Sequence, residues 1–153
     1  MSKLLYFIAA IAALGMFTSS VFAGNLVNVA GASGIALSGY DPVAFFTDKK
    51  PMFGDPANSA TYKGAMYLFA SKEHKAMFEA DPQKYVPQYG GYCAFGVALG
   101  HLFPVDISTW QVRDGKLYLN FNPAIFNMFN KDFAGHVAKA EKNWPDLVKK
   151  HAK

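Results

Sequence analysis

From Gly24 onward the apolar positions come in short runs separated by turn-forming residues; before it lies one long apolar run. Ala60-Thr61-Tyr62 and Met66-Tyr67-Leu68-Phe69 flank Lys63-Gly64-Ala65 and predict a tight β-hairpin. Thr109 to Arg113 and Lys116 to Asn120 flank Asp114-Gly115, the strongest hairpin signal in the chain. Leu26 to Val29 and Ile35 to Leu37 favour strand. Ser38 to Pro42 reads as a turn, Val43 to Phe46 as a short strand or bend, and Thr47 to Ser59 as loop.

Helical spacing takes over elsewhere. Ser71 is a good N-cap for a helix from Lys72 to Ala80, placing His74, Met77 and Phe78 on one side. Another turn of helix is expected over Asp81 to Tyr85. A helix from about Gly90 or Gly91 to Leu99 would put Cys93 in its first turn. Phe103 to Ser108 reads as loop. Asn122 caps a helix with Pro123 at its first position, and Phe126, Phe129 and Phe133 recur at helical spacing. A last helix is expected from about Asp132 toward Lys142, broken at Trp144-Pro145. The pattern predicts a single α+β domain of small antiparallel hairpins packed with short helices.

The long apolar run changes the expected address. Lys3, the run from Leu4 to Phe17, the polar break Thr18-Ser19-Ser20 and Ala23 together form the pattern of a secretory signal peptide cut after Ala23. The run is short for a bilayer span of roughly 20 residues, so no membrane span is expected after cleavage. Residues 24–153 then form the exported, periplasmic domain. The formal charge of +4 loses only Lys3 with the signal and is spread evenly, which argues against nucleic acid as a partner.

Candidate chemistry centres on Tyr89-Gly90-Gly91-Tyr92-Cys93-Ala94-Phe95-Gly96, which holds the only cysteine. A lone exported cysteine is buried, bound to something, reactive, or paired between chains. At a helix N-terminus it would be drawn toward thiolate. Three functions follow from different classes. A soft-metal site would use Cys93 with His74 or His101; thiolate favours Cu(I), while imidazole suits copper and zinc. A metal-free module would use Tyr40, Tyr67, Tyr89 and Tyr92 around Gly90 and Gly91 as an aromatic pocket. A thiol enzyme or redox protein would use Cys93 as nucleophile, but no orienting partner, paired carboxylates, phosphate loop or cofactor fingerprint accompanies it. Burial of Cys93 as a small apolar residue, and of the methionines as core filling, is the plainer reading of the same residues.

Several stretches resemble the YHS-domain family: Gly39 to Phe46, Tyr62-Lys63-Gly64, Tyr67 to Ser71, Phe78, Pro82 and Tyr85. Tyr89 to Gly96, Trp110, Asp114 to Asn120 and Asn143-Trp144-Pro145 resemble its exported bacterial branch. The resemblance implies one YHS-like domain over most of residues 24–153, with a C-terminal helical extension. It also implies heavy-metal binding of the kind associated with YHS and related TRASH domains. The positions where the family carries its cysteines hold Ala44, Ala70 and His74 here, so a four-ligand zinc site does not transfer. What the resemblance leaves is a non-enzymatic metal-binding or trafficking protein, copper-type, whose site either was lost or moved to Cys93 with His74 as a second ligand.

Overall fold

A computed structural model of the protein describes residues 25–152; the expected signal peptide lies outside them. In chain order the elements are β1 (Val29–Ala30), β2 (Ile35–Ala36), α1 (Ala44–Thr47), β3 (Asp55–Tyr62), β4 (Ala65–Phe69), α2 (Lys72–Ala80) and α3 (Pro82–Tyr85). These are followed by α4 (Ala94–Ala98), β5 (Asp106–Arg113), β6 (Lys116–Asn120), α5 (Pro123–Lys131) and α6 (Phe133–His151). The fold is α+β. One sheet has the strand order β1-β2-β4-β3 and the other is the β5–β6 hairpin. All pairings are antiparallel except β2 with β4, which run parallel.

Both hairpins turn where the sequence places them. Lys63-Gly64 and Asp114-Gly115 take positive φ at both central positions, the twist that suits a two-residue connection. Phe78 projects from α2 onto the first sheet, its ring centroid 5.1 Å from Tyr67 and 4.9 Å from Phe69. With Val43, Tyr85 and Val86 these residues form the first core cluster. A second forms where Val97, Ala98, Tyr118, Phe129, Ala140 and Leu147 bring α4, β6, α5 and α6 together. Phe45 lies between the halves, packed with Leu117 and Leu119, with Trp110 at 5.4 Å.

Several local expectations are corrected. Val43 to Phe46 is not strand; α1 forms there because the Asp41 carboxylate accepts the N–H groups of Val43 and Ala44. The loops expected over 47–59 and 103–108 are shorter: β3 begins at Asp55, opposite Phe69, and β5 at Asp106, opposite Asn120. No helix starts at Gly90. Tyr89 and Gly90 have φ of 54° and 60°, so the tight turn over 88–91 stops, and α4 begins only after Cys93. The last helix runs through Trp144-Pro145 to His151. An internal proline costs about 3 kcal/mol, but Trp144 and Leu147 pack into the second core on either side of it and offset that loss. Met77 does not share the buried side of α2 with Phe78; it is exposed. Among the described residues no helix is long and apolar enough to cross a membrane.

Candidate functional site

Asp41 is fully buried, yet all its acceptor capacity is used. Its Oδ1 accepts from Val43 N at 2.8 Å and Ala44 N at 3.4 Å. Its Oδ2 accepts from Ala70 N at 2.8 Å and from His74 Nδ1 at 2.6 Å. A buried carboxylate is tolerable only with such partners. The result ties the start of α1, the end of β4 and the first turn of α2 to one side chain. Ser71, capping α2, accepts the His74 N–H at 3.1 Å and fixes where that imidazole leaves the backbone.

With Nδ1 donating to Asp41, His74 presents Nε2 toward solvent. Nε2 lies 3.3 Å from Oδ2 of Asp48 and 3.4 Å from Oγ1 of Thr47. The Thr47 hydroxyl lies 2.6 Å from that same Asp48 oxygen and 3.1 Å from the Val43 carbonyl. Nε2, the Thr47 hydroxyl and the Asp48 carboxylate thus converge at one point, at a spacing where an imidazole nitrogen and a carboxylate oxygen can share a cation. A histidine whose other nitrogen donates to a buried carboxylate is the usual support for a metal-binding imidazole.

Cys93 lies elsewhere and is only 1% exposed. It caps α4, with Sγ accepting from Gly96 N at 3.4 Å and approaching Oδ1 of Asn120 at 3.7 Å. That Asn120 oxygen also accepts from Phe95 N at 3.2 Å, while Nδ2 of Asn120 is buried without a partner among the described residues. Burial pushes the thiol pKa up, against the smaller lowering effect of backbone N–H groups. The helix N-terminus thus does not make this thiol a ready nucleophile.

Among the described residues no histidine is a polar partner of Cys93. His74 is engaged with Asp41 and Asp48. His101, exposed beyond α4, lies beside Phe103 with ring centroids 6.1 Å apart. His136 Nδ1 donates to the Phe129 carbonyl oxygen, 3.0 Å away, and the residue is half-buried rather than free on the surface. Among the described residues no group of three or more His, Cys, Asp or Glu side chains is arranged to hold a metal ion. A Cys93–His74–His101 ligand set does not fit this geometry. The donors that do converge are His74 Nε2 and Asp48, with the Thr47 hydroxyl beside them.

A cleft of about 330 Å³ opens between the β3–β4 hairpin and α6, lined by Tyr62, Lys63, Tyr67, Tyr89, Glu141 and Trp144 among others. Gly90 also borders it, whereas Gly91, Tyr92 and Tyr40 do not. Tyr40 is stacked on Phe53 at 4.2 Å. Gly90 has a specific reason to lack a side chain: a Cβ there would meet the Leu26 carbonyl oxygen at 2.1 Å. Asn28 crosses at the same place, its N–H donating to Gly90 O at 2.9 Å and its side-chain amide to Gly91 O at 3.1 Å. The glycine pair thus admits another part of this chain. Burial raises the phenol pKa of Tyr67 and, with help from Glu141, that of Tyr89.

Sequence reasoning missed Asp41, Asp48 and Asn120. Asp41 had a readable signal: an aspartate two residues ahead of a short apolar run is a helix-start pattern. Asp48 and Asn120 had none, since their roles depend on residues 26 or more positions away.

No curated protein and no solved structure matches this chain. Residues 43–89 match the family model for the YHS domain. That segment spans α1, β3, β4, α2 and α3, and so contains His74, Asp48 and most of the first core cluster; Cys93 and everything after it fall outside. The similarity to the YHS domain is thus confined to this segment, which a hairpin and helices continue.

Proposed function

We propose that this chain is an exported, non-enzymatic binding protein that takes up a divalent copper or zinc ion at His74 and Asp48 rather than at Cys93. The observation that carries this is the 3.3 Å approach of His74 Nε2 to the Asp48 carboxylate, with Nδ1 already committed to buried Asp41. An imidazole–carboxylate pair suits Cu(II) or Zn(II) better than Cu(I), which prefers sulfur. Two protein ligands leave the remaining coordination positions to water or to a partner. Such an open site exchanges its ion readily, as trafficking requires. The position of the pair within the YHS segment agrees with the metal association of that family. The buried Cys93, held by Gly96 and Asn120, supports leaving the thiol out of the site.

The test is a titration with Zn(II) and Cu(II) against a competing chelator. Uptake near one equivalent should persist in Cys93→Ser and fall at least about tenfold in Asp48→Asn, a half-exposed position whose change spares the core. Uptake lost in Cys93→Ser, or unchanged in Asp48→Asn, sinks the assignment.

A further inference from the structure

We infer that the cleft between the β3–β4 hairpin and α6 is a second binding site, for a small zwitterion carrying an ammonium and a carboxylate. It is separate from the His74 pair. One wall is anionic and aromatic: the Tyr89 hydroxyl donates to Oε1 of Glu141 at 3.4 Å, and the Tyr89 and Trp144 rings meet edge-on at 5.9 Å. A carboxylate beside two electron-rich rings is the arrangement that holds an ammonium group. The opposite wall carries Lys63, with Nζ 5.4 Å from the centre of the Tyr62 ring. Oε1 of Gln83 accepts from Tyr62 at 3.0 Å and from Lys63 at 3.4 Å, holding both at the rim.

Neither Lys63 nor Glu141 is in an ion pair among the described residues. Two unneutralised charges of opposite sign thus face one cavity from different elements. A ligand with both charges would satisfy them together, and one with a single charge would leave the other wall unmatched. Tyr67, only 2% exposed, also lines the cleft. The volume of about 330 Å³ is at the small end for ligand sites, which limits the occupant to a small molecule.

The test uses the purified protein with glycine betaine and L-leucine as zwitterionic probes, and tetramethylammonium and acetate as the half-charged controls. Binding is followed by calorimetry and by Trp144 fluorescence, with Trp144→Phe identifying the Trp144 signal against Trp110. At least one zwitterion should saturate, and bind about tenfold more weakly in Glu141→Gln and in Lys63→Gln, both exposed positions. Asp48→Asn should leave that binding unchanged, which separates this site from the metal pair. Failure of both zwitterions to saturate by about 10 mM overturns the proposal. So does equal binding of tetramethylammonium or acetate, or binding that ignores both charge substitutions.

Discussion

The Cys93 thiol and the Asn120 side-chain oxygen lie 3.7 Å apart inside the protein, and Oδ1 of that asparagine also receives the Phe95 N–H. One amide thus joins the end of β6 to the start of α4. The cysteine takes part as a small buried cap rather than as an exposed reagent.

Alkylation of Cys93 should therefore report unfolding. In native conditions iodoacetamide should react at least about a hundredfold more slowly than in denaturant, because it must wait for an opening event. Equal rates in the two conditions would show that the thiol is reachable in the folded chain.

The raised thiol pKa also sets a pH dependence. The folded state holds the thiol proton more tightly than the unfolded state does. Its contribution is complete below the ordinary thiol value of 9.0 and is lost as pH rises through the folded value. Chemical denaturation should show stability falling above about pH 9, with a shallower initial fall in Cys93→Ala. The buried phenols of Tyr67 and Tyr89 add a later fall in both proteins. Identical profiles would remove the thiol from the account.

Asp41→Ala should destabilise the fold by about 3–5 kcal/mol. It strips the acceptor from three backbone N–H groups, those of Val43, Ala44 and Ala70, and frees the His74 ring. Asp41→Asn keeps one carbonyl acceptor and should cost less, about 2 kcal/mol. Urea midpoints for the pair give the comparison; a loss under about 1 kcal/mol for the alanine would show that solvent satisfies those groups.

Gly90→Ala combines a positive φ with a Cβ placed 2.1 Å from the Leu26 carbonyl oxygen. It should cost about 2 kcal/mol or more and loosen residues 25–28 in hydrogen exchange. Gly31→Ala has a similar φ of 51° but no atom of the described residues within 4 Å of its Cβ, so it should cost only about 1 kcal/mol. Equal losses would mean that backbone strain alone, and not the crossing, makes glycine necessary at position 90.

Elements whose signal is local were legible in the sequence. Asp114-Gly115 and Lys63-Gly64 announced their hairpins, and Ser71 and Asn122 announced their helices through caps that the structure shows at His74 N and Ile125 N. Elements decided by distant partners were not. Nothing near Pro145 says that the helix survives it; Trp144 and Leu147 must first find the second core. The aromatic–glycine stretch was readable as a close approach, but what approaches is Leu26, more than sixty positions earlier. His74 stood out by its place in the family pattern. Its two carboxylates did not, because Asp41 and Asp48 reach it only after β3, β4 and α2 fold back over α1.

The crossing of Asn28 over Gly90 and Gly91 has a consequence for the order of events. The hydrogen bond from its side chain spans 63 positions of sequence. The opening residues of the domain, though made first, have nowhere to dock until residues 90 and 91 exist and have turned. Closing so long a loop is slow relative to forming either hairpin. The amino end therefore waits for the middle of the chain, and the cleft wall it forms with Asn25 and Leu26 is among the last surfaces completed.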